Sequence, residues 1–329
     1  MAQGLFYPNG EFKSDQQIKR EALVHNFPIF HTPLPEKKDF HYWSEVAKIR
    51  QRQGLETEEF KNSVEISLPH RSLLNLMADL HIGGLYTDYA RIEAEIQKIV
   101  ETQNSYLILV GDVVDNFFFN PAQQEDVVNV TNQWQYANAL MEYVASQGKL
   151  LCAWCGNHDL WASKTGENPY ADFSARTGAY LMHGVGYVKL NVGEQTYKLC
   201  GNHMFKGNSV YSNAHPQRRA LNESARGSDV VFSGHWHQKA IVQQAFTEFG
   251  GDNYLATMVA LGTYKASDEY VRTYGFENRT PQSMYGASLL FDDQTKTVLP
   301  FYDILQANDI FAQMQIAEVE IPQYSQLYA

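Results

Sequence analysis

Short apolar runs alternate with amphipathic stretches over the first half of the chain beyond residue 72. Mainly apolar residues occupy Leu73–Ala78, Tyr106–Val110 and Leu150–Trp154, whereas Asp88–Thr102 and Val127–Gln147 mix apolar and polar positions. Runs of five or six apolar residues are typical of buried strands, and strands that alternate with helices form βαβ units. The pattern therefore predicts parallel strands with covering helices.

After Gly184 the apolar segments become shorter and follow one another more closely. One helical stretch, His215–Ser228, lies among them. The strands predicted here are Tyr187–Val192, Tyr197–Cys200, Val230–Ser233, Ala240–Ala245, Ala256–Leu261, Ala287–Phe291 and Val298–Tyr302. We therefore predict a layered α/β domain whose second sheet is built late in the sequence.

Residues 1–71 differ from the rest of the chain. Positions 1–72 hold ten basic and ten acidic side chains, and prolines interrupt them at Pro28, Pro33 and Pro35. The segment lacks the basic clustering of a nucleic-acid-binding module. We predict an N-terminal extension, 1–71, that packs on a catalytic domain, 72–329, or docks a protein partner.

Charge and cysteine content narrow the class of protein. The net charge is −11, and the excess lies after residue 72, where 27 acidic side chains face 16 basic ones. This balance argues against a broad basic face for nucleic acid, but it suits a site that binds cations. Three cysteines give no disulfide framework, and neither a signal peptide nor an apolar run of ~18 residues is visible. The expectation is a cytoplasmic protein without a membrane segment.

Polar clusters follow three of the predicted strands. They are Asp79-Leu80-His81, Asp112-Val113-Val114-Asp115 and Asn157-His158-Asp159, and a glycine precedes the second and third. Ligands of open α/β sheets bind outside the carboxyl ends of the strands. The three clusters are therefore expected to converge on one site.

Histidines add a second kind of donor to this site. His203 follows one late strand, and His235 and His237 follow another. Asp79 and His81 are likewise two apart, so both side chains would point to the same side of an extended strand end. Carboxylate and imidazole together suit manganese, iron or zinc.

These blocks resemble those of the calcineurin-like metallophosphoesterase superfamily. The blocks of that superfamily are Asp-x-His, Gly-Asp-x-x-Asp, Gly-Asn-His-Asp or Glu, a later His, and Gly-His-x-His, and all five occur in order here. The resemblance covers about residues 72–303. It implies an α/β/β/α sandwich of two mixed sheets flanked by helices, with two divalent ions, manganese first and iron or zinc as alternatives.

The resemblance also implies a role for each motif residue. One metal would be held by Asp79, His81, Asp112 and His237, and the other by Asp112, Asn157, His203 and His235. Asp112 would bridge the ions, and a metal-bound hydroxide would attack phosphorus. His158 would contact the phosphate beside Asn157 and protonate the leaving oxygen, and the carboxylate of Asp115 would orient His158.

Other side chains are candidates for substrate contact from their position alone. Arg218 and Arg219 could grip a phosphate or form a solvated helix face. Lys265 or Arg272, after a late apolar strand, could contact substrate. The run Phe117–Phe119 could stack a planar group or pack in the core.

The leading hypothesis is a metal-dependent phosphodiesterase acting on nucleic acid or a nucleotide derivative. Asp159 resembles the fourth residue of the third block in the DNA-processing exonucleases of the superfamily, whereas protein phosphatases have glutamate there. One alternative is a phosphomonoesterase or nucleotide pyrophosphohydrolase. Another is a binding subunit that kept the fold without the chemistry.

Overall fold

The computed structural model divides the chain into two units, Met1–Glu58 and Glu59–Ala329. In the first unit it describes residues 40–49 without 43 and 46, and these are helical. In the second unit it describes residues 62–116, 129–161, 170, 173–247, 251, 253–267 and 283–317. Most of the predicted extension, with its proposed partner contact, lies outside the described residues.

The described part of the second unit contains twelve strands and six helices. The strands are β1 (Ser63–Leu68), β2 (Ser72–Met77), β3 (Ser105–Val110), β4 (Leu150–Trp154), β5 (Tyr180–Met182), β6 (Gly186–Val192), β7 (Gln195–Gly201), β8 (Val230–Ser233), β9 (Ala240–Thr247), β10 (Asn253–Ala260), β11 (Ala287–Phe291) and β12 (Val298–Phe301). The helices are α1 (Tyr89–Glu101), α2 (Val130–Ser146), α3 (Asn157–Trp161), α4 (Phe173–Thr177), α5 (His215–Asn222) and α6 (Ile304–Ala317).

The strands form two mixed sheets of six strands each. Sheet 1 has the order β12-β11-β2-β3-β4-β5, and sheet 2 has the order β1-β6-β7-β8-β10-β9. In sheet 1, β2 to β5 are parallel, and β11 and β12 add an antiparallel edge. In sheet 2, β8 lies between β7 and β10 and is parallel to both.

Alternation along β2 explains how sheet 1 joins two apolar layers. Leu74 and Leu76 contribute to a core shared with strands of sheet 2, and Met77 packs with residues of α1 and α2. On the other side of the molecule, α5 packs against β8 and β10. The order helix, sheet, sheet, helix confirms the predicted α/β/β/α sandwich.

Helix starts follow from side chains that satisfy free amides. The carboxylate of Asp88 accepts a hydrogen bond from Arg91 N at 3.0 Å before α1, and the Asn129 side chain accepts one from Asn132 N at 2.9 Å before α2. Such caps are worth about 1 kcal/mol each.

None of the helices among the described residues has the length and apolar character that a membrane span requires.

The structure differs from the sequence interpretation at several elements. β1, within the range assigned to the extension, pairs in parallel with β6. β11 and β12, expected with the late strands, return to sheet 1 because β11 pairs with the edge of β2. The predicted helix at 215–228 ends at Asn222, and α6 was not predicted.

Candidate metal centre

The predicted ligand residues follow strands of both sheets, on loops or, for Asn157, at the start of α3. β2, β3 and β4 lead to Asp79, Asp112 and Asn157, and β7 and β8 lead to His203 and His235. The loops are hydrogen-bonded side by side: Asp79 N donates to Gly111 O at 3.0 Å and Gly234 N to His203 O at 3.1 Å. The structure thus brings the five sequence blocks together.

The first donor group consists of Asp79, His81 and His237. His237 Nε2 lies 2.9 Å from Asp79 Oδ1 and 3.3 Å from His81 Nε2, and the distance from His81 Nε2 to Asp79 Oδ1 is 3.9 Å. Asp79 and His81 are buried, and His237 is partly buried. One carboxylate and two imidazoles therefore converge at short range.

The second donor group consists of Asp112, His203 and His235, with Asn157 beside them. His203 Nε2 lies 3.1 Å from Asp112 Oδ2 and 3.2 Å from Asn157 Oδ1. His235 Nδ1 lies 3.0 Å from the same amide oxygen. His203 Nδ1 donates to Val110 O at 2.8 Å, which leaves the Nε2 lone pair directed at the group.

Both groups fit a divalent metal ion by the chemistry of their donors. In each, three ligand atoms from one carboxylate and two histidines lie within 4.8 Å of one another. Mixed nitrogen and oxygen donors at such separations suit zinc, iron or manganese better than calcium. The family resemblance assigns Asp112 to both ions, and that bridging role remains a prediction.

Glycines before the ligands are required because the loops pass so close together. An added Cβ at Gly156 would lie 2.0 Å from Asp112 Oδ1, and one at Gly234 would lie 2.3 Å from Asp79 Oδ2. At Gly111, where φ is +84°, it would lie 2.5 Å from a ring nitrogen of His203. The glycines of these blocks thus serve the packing of ligand side chains.

The charges of the site attract a cation. Burial opposes ionisation of Asp79 and Asp112, but the neighbouring histidines lower the pKa of both carboxyl groups. Burial lowers the pKa of His81 to about 4, so this ring is neutral. Burial also acts on His203, but Asp112 outweighs it and raises the pKa of His203 to about 10. A divalent ion would replace the proton that His203 otherwise takes up.

His158 lies beside the two donor groups, on the short helix α3. Its main-chain amide donates to Asp112 Oδ1 at 2.8 Å, and its Nδ1 lies 2.5 Å from the main-chain oxygen of Asp115. Its ring is 4.1 Å from the Trp161 ring and 4.7 Å from the His81 ring, between centroids. His158 is therefore held on several sides at the edge of the centre.

Asp115 uses its carboxylate differently from the sequence interpretation. The carboxylate was expected to orient His158, but the short contact to that ring comes from the main-chain carbonyl of Asp115. The carboxylate instead accepts hydrogen bonds from Lys265 Nζ, at 2.9 Å to each oxygen, and lies 3.0 Å from His81 Nδ1. The carboxylate therefore contacts Lys265 and His81.

Asp159 ties the second and third motif loops together, a role that sequence reasoning missed. Its Oδ1 accepts from Val113 N at 2.9 Å and from Val114 N at 3.3 Å. Its Oδ2 accepts from Gly156 N at 2.8 Å and from Tyr170 Oη at 3.0 Å. The sequence signal for this role was an acidic residue directly beside the predicted ligands, but nothing in the spacing named the amides it would accept from.

The remaining candidates for substrate contact are less closely connected to the centre. Arg218 and Arg219 are exposed on α5, and Arg219 Nε donates to Glu223 Oε1 at 2.9 Å. These are the surroundings of a solvated helix face, and phosphate binding by the arginines remains a prediction. Arg272 and Phe117–Phe119 lie outside the described residues.

Comparison with known proteins gives one informative match. The family model for calcineurin-like phosphoesterases matches residues 74–239. No curated protein sequence is significantly similar to the chain.

Solved structures show only distant similarity. A metallophosphoesterase from Sphaerobacter thermophilus is 14% identical over 75% of this chain and 95% of its own, with a TM-score of 0.36. Vps29 from Chaetomium thermophilum is 10% identical over 70% and 94%, with a TM-score of 0.32. A predicted phosphoesterase from Streptococcus pneumoniae is 13% identical over 72% and 92%, with a TM-score of 0.33. These similarities are too low to bear on function.

Proposed function

Because the chain belongs to the calcineurin-like phosphoesterase family, a family of metal-dependent phosphoester hydrolases, we propose that it is a phosphodiesterase acting on nucleic acid or a nucleotide derivative. The main support is the pairing of two donor groups in one site, each with a carboxylate and two imidazoles. Asp159 supports a diesterase, because the protein phosphatases of the superfamily have glutamate at this position of the motif.

The proposal assigns two divalent ions to the site, manganese first and iron or zinc as alternatives. One ion would bind Asp79, His81 and His237, the other would bind Asn157, His203 and His235, and Asp112 would serve both. When bound, the ions would supply an activated water and neutralise the phosphate oxygens during in-line attack. The chain itself provides both groups of ligands.

His158 is the proposed proton donor to the leaving oxygen. A main-chain carbonyl accepts only, so the contact with Asp115 O places a proton on His158 Nδ1. The proton for the leaving oxygen must therefore come from Nε2, so the ring donates as an imidazolium and is left neutral with its remaining proton on Nδ1. The amide hydrogen bond from His158 N to Asp112 Oδ1 fixes the ring relative to the proposed bridging ligand.

The proposed function is tested by manganese-dependent hydrolysis of three substrates in parallel. They are an end-labelled single-stranded DNA, a cyclic nucleotide and a simple phosphomonoester. The Asp112→Asn protein is the control for activity from a contaminating enzyme. We expect cleavage of DNA or of the cyclic nucleotide by the wild-type protein and none by the variant.

Each of the other outcomes points to a different conclusion. Turnover of the phosphomonoester alone would replace the diesterase with a phosphomonoesterase. If all three substrates stay intact although the protein binds manganese, a nucleotide pyrophosphohydrolase is tested next with dinucleoside polyphosphates. Failure there as well would leave the binding subunit as the remaining hypothesis.

A further inference from the structure

Lys265 belongs to a segment that follows β10 and is hydrogen-bonded to the first motif loop. Thr263 Oγ1 and Tyr264 N donate to Asp79 O at 2.9 and 3.0 Å. Lys265 forms an antiparallel bridge with Thr87, and Asp88 N donates to Tyr264 O at 2.9 Å. The main chain of this segment is therefore held against the metal centre independently of the Lys265 side chain.

The side chain of Lys265 turns inward from this segment and ends on Asp115. Its Nζ donates to both carboxylate oxygens at 2.9 Å, and the two residues are only 6% and 1% exposed. Both oxygens of the carboxylate thus have the same charged donor, which leaves the carboxylate little freedom to rotate.

The other neighbour of this carboxylate is a proposed metal ligand. Asp115 Oδ1 lies 3.0 Å from His81 Nδ1, although the two atoms do not meet the geometry of a regular hydrogen bond. The second ring nitrogen, His81 Nε2, faces His237 Nε2 at 3.3 Å in the first donor group. A negative charge beside Nδ1 favours the proton on Nδ1 and leaves the Nε2 lone pair free for a metal.

Burial of this ion pair is not explained by stability. Taking an ammonium and a carboxylate out of water costs free energy that their attraction offsets only in part, and apolar residues of the same size are often as stabilising. A buried pair that also points at a ligand histidine is better explained by the orientation it imposes on that ligand.

We propose that Lys265 is a positioning residue of the metal centre: it holds the Asp115 carboxylate against His81 and so directs His81 Nε2 at the first metal. The inference rests on the proposed function, because it assigns His81 to a metal ion. It replaces the sequence-based expectation that Lys265 contacts substrate.

The third cluster of potential ligands in this region, His81, Asp115 and His158, has a different character. Its three ligand atoms also lie within 4.8 Å of one another. However, the ammonium group of Lys265 lies on both carboxylate oxygens of Asp115, and its positive charge disfavours a metal ion there. The cluster is better described as support for the first donor group than as a further metal site.

The test compares Lys265→Met, which keeps the length of the side chain without its charge, with Lys265→Arg, which keeps the charge. Protein stripped with a chelator is titrated with manganese chloride by calorimetry, and kcat and KM are measured with the hydrolysed substrate. We expect Lys265→Met to weaken manganese binding by about 10- to 100-fold, the usual effect of losing support for a ligand. KM should stay within about threefold, and Lys265→Arg should restore most of the affinity.

Lys149→Met is the matched control, because Lys149 is a partly buried lysine that donates to Thr102 O at 2.8 Å, away from the ligand loops. It should leave manganese affinity unchanged. The thermal midpoint of each variant establishes whether it folds. If Lys265→Met does not fold, Lys265→Gln replaces it.

Three results would overturn the inference. A raised KM with normal manganese affinity would make Lys265 a substrate-binding residue. A lowered thermal midpoint with normal affinity and kcat would make its role purely structural. An equal loss of manganese affinity in Lys265→Arg would show that a positive charge at residue 265 is not sufficient to support the metal site. By contrast, a wild-type protein that binds manganese but hydrolyses none of the substrates fails the proposed function and leaves the affinity comparison valid.

Discussion

At the scale of single residues, the backbone at the metal centre is strained. Positive φ angles between 48° and 70° occur at five of the proposed ligands: Asp79, His81, Asp112, His235 and His237. A residue with a Cβ in this region costs roughly 1 to 3 kcal/mol, and such residues collect at functional sites. The loop hydrogen bonds from Asp79 N to Gly111 O and from His81 N to Asp112 O maintain the turn. The left-handed backbone conformation at these positions directs the ligand side chains toward one point.

Asp112→Asn tests the proposed bridging ligand with little disturbance of its backbone. Asparagine tolerates the left-handed conformation that Asp112 has, and its side-chain oxygen can still accept the His158 amide. The negative charge that the proposed assignment shares between two cations is lost. We expect hydrolysis to disappear and bound manganese, measured by mass spectrometry after dialysis, to fall. Full activity in this variant would contradict the two-metal assignment.

His158→Ala should separate catalysis from metal binding. Its ring nitrogens belong to neither proposed metal, so manganese content should equal that of the wild-type protein. Loss of a proton donor typically lowers kcat by about 10²- to 10⁴-fold. Steady-state kinetics and metal analysis on the same sample check both expectations. A variant that loses its metals together with its activity would place His158 among the ligands instead.

At the scale of whole elements, a buried polar network fixes α6 on sheet 1. Asn308 Nδ2 donates to Asn75 Oδ1 at 2.9 Å, and Ser105 Oγ donates to Asn308 Oδ1 at 2.6 Å. Ser288 Oγ donates to Asn75 Oδ1 at 2.7 Å. All four residues are fully buried, on β2, β3, β11 and α6. Polar groups inside a core specify which neighbours can satisfy them, so this network selects one position for the helix.

Asn308→Ala should therefore destabilise the protein well beyond the loss of a surface side chain. The change leaves Ser105 Oγ without the acceptor seen here and removes a donor to Asn75. Buried polar groups without partners cost about 1 to 3 kcal/mol each, so the free energy of unfolding should fall by about 2 to 4 kcal/mol. Gln315→Ala, on the partly exposed side of the same helix, should change it by less than about 0.5 kcal/mol. Urea denaturation measures both, and equal effects would argue against the network.

Elements differ in how far the sequence predicts them. β2, β3 and β4 are mainly apolar, are buried on both faces and lead to motif residues, so their position and the convergence of Asp79, Asp112 and Asn157 could be predicted. β1 alternates exposed and buried residues over only six positions, too short a pattern beside a region of mixed character. α6 has a buried Asn308 in place of an apolar residue, which weakens its helical pattern.

The residues that support the ligands could be predicted from sequence less well than the ligands themselves. The ligands share motifs with a family, and their residue types suffice to suggest metal. Lys265 lies 150 positions from Asp115, and nothing in a single sequence pairs a lysine with one particular carboxylate at that distance. For the same reason, the main-chain contact from Asp115 O to His158 could not be distinguished from a carboxylate contact.

At the scale of the whole molecule, the metal centre joins the two sheets. In the first donor group, Asp79 and His81 follow a strand of sheet 1, whereas His237 follows β8 of sheet 2. The second group likewise combines Asp112 of sheet 1 with His203 and His235 of sheet 2. An ion bound by either group therefore binds only when both sheets are assembled, and it stabilises the folded chain by mass action.

Removal of metal should consequently lower the thermal midpoint of the protein. At a free manganese concentration of 100 times the dissociation constant, one ion adds about 2.7 kcal/mol. For a folded unit of this size, 1 kcal/mol corresponds to about 2 to 4 °C, so chelation should lower the midpoint by roughly 5 to 10 °C for each ion removed. Calorimetric scans with chelator and with manganese measure the difference.

The same scans at several pH values add a test of the donor type. Histidine binds metal only when the ligating nitrogen carries no proton, so protons compete with manganese as pH falls. The difference between the manganese and chelator scans should therefore shrink from pH 8 toward pH 5. Asp112→Asn should show a smaller difference at every pH. A difference that is independent of pH, or equal in the variant, would mean that manganese stabilises the protein from a site without histidine ligands, and the joining of the two sheets would need another explanation.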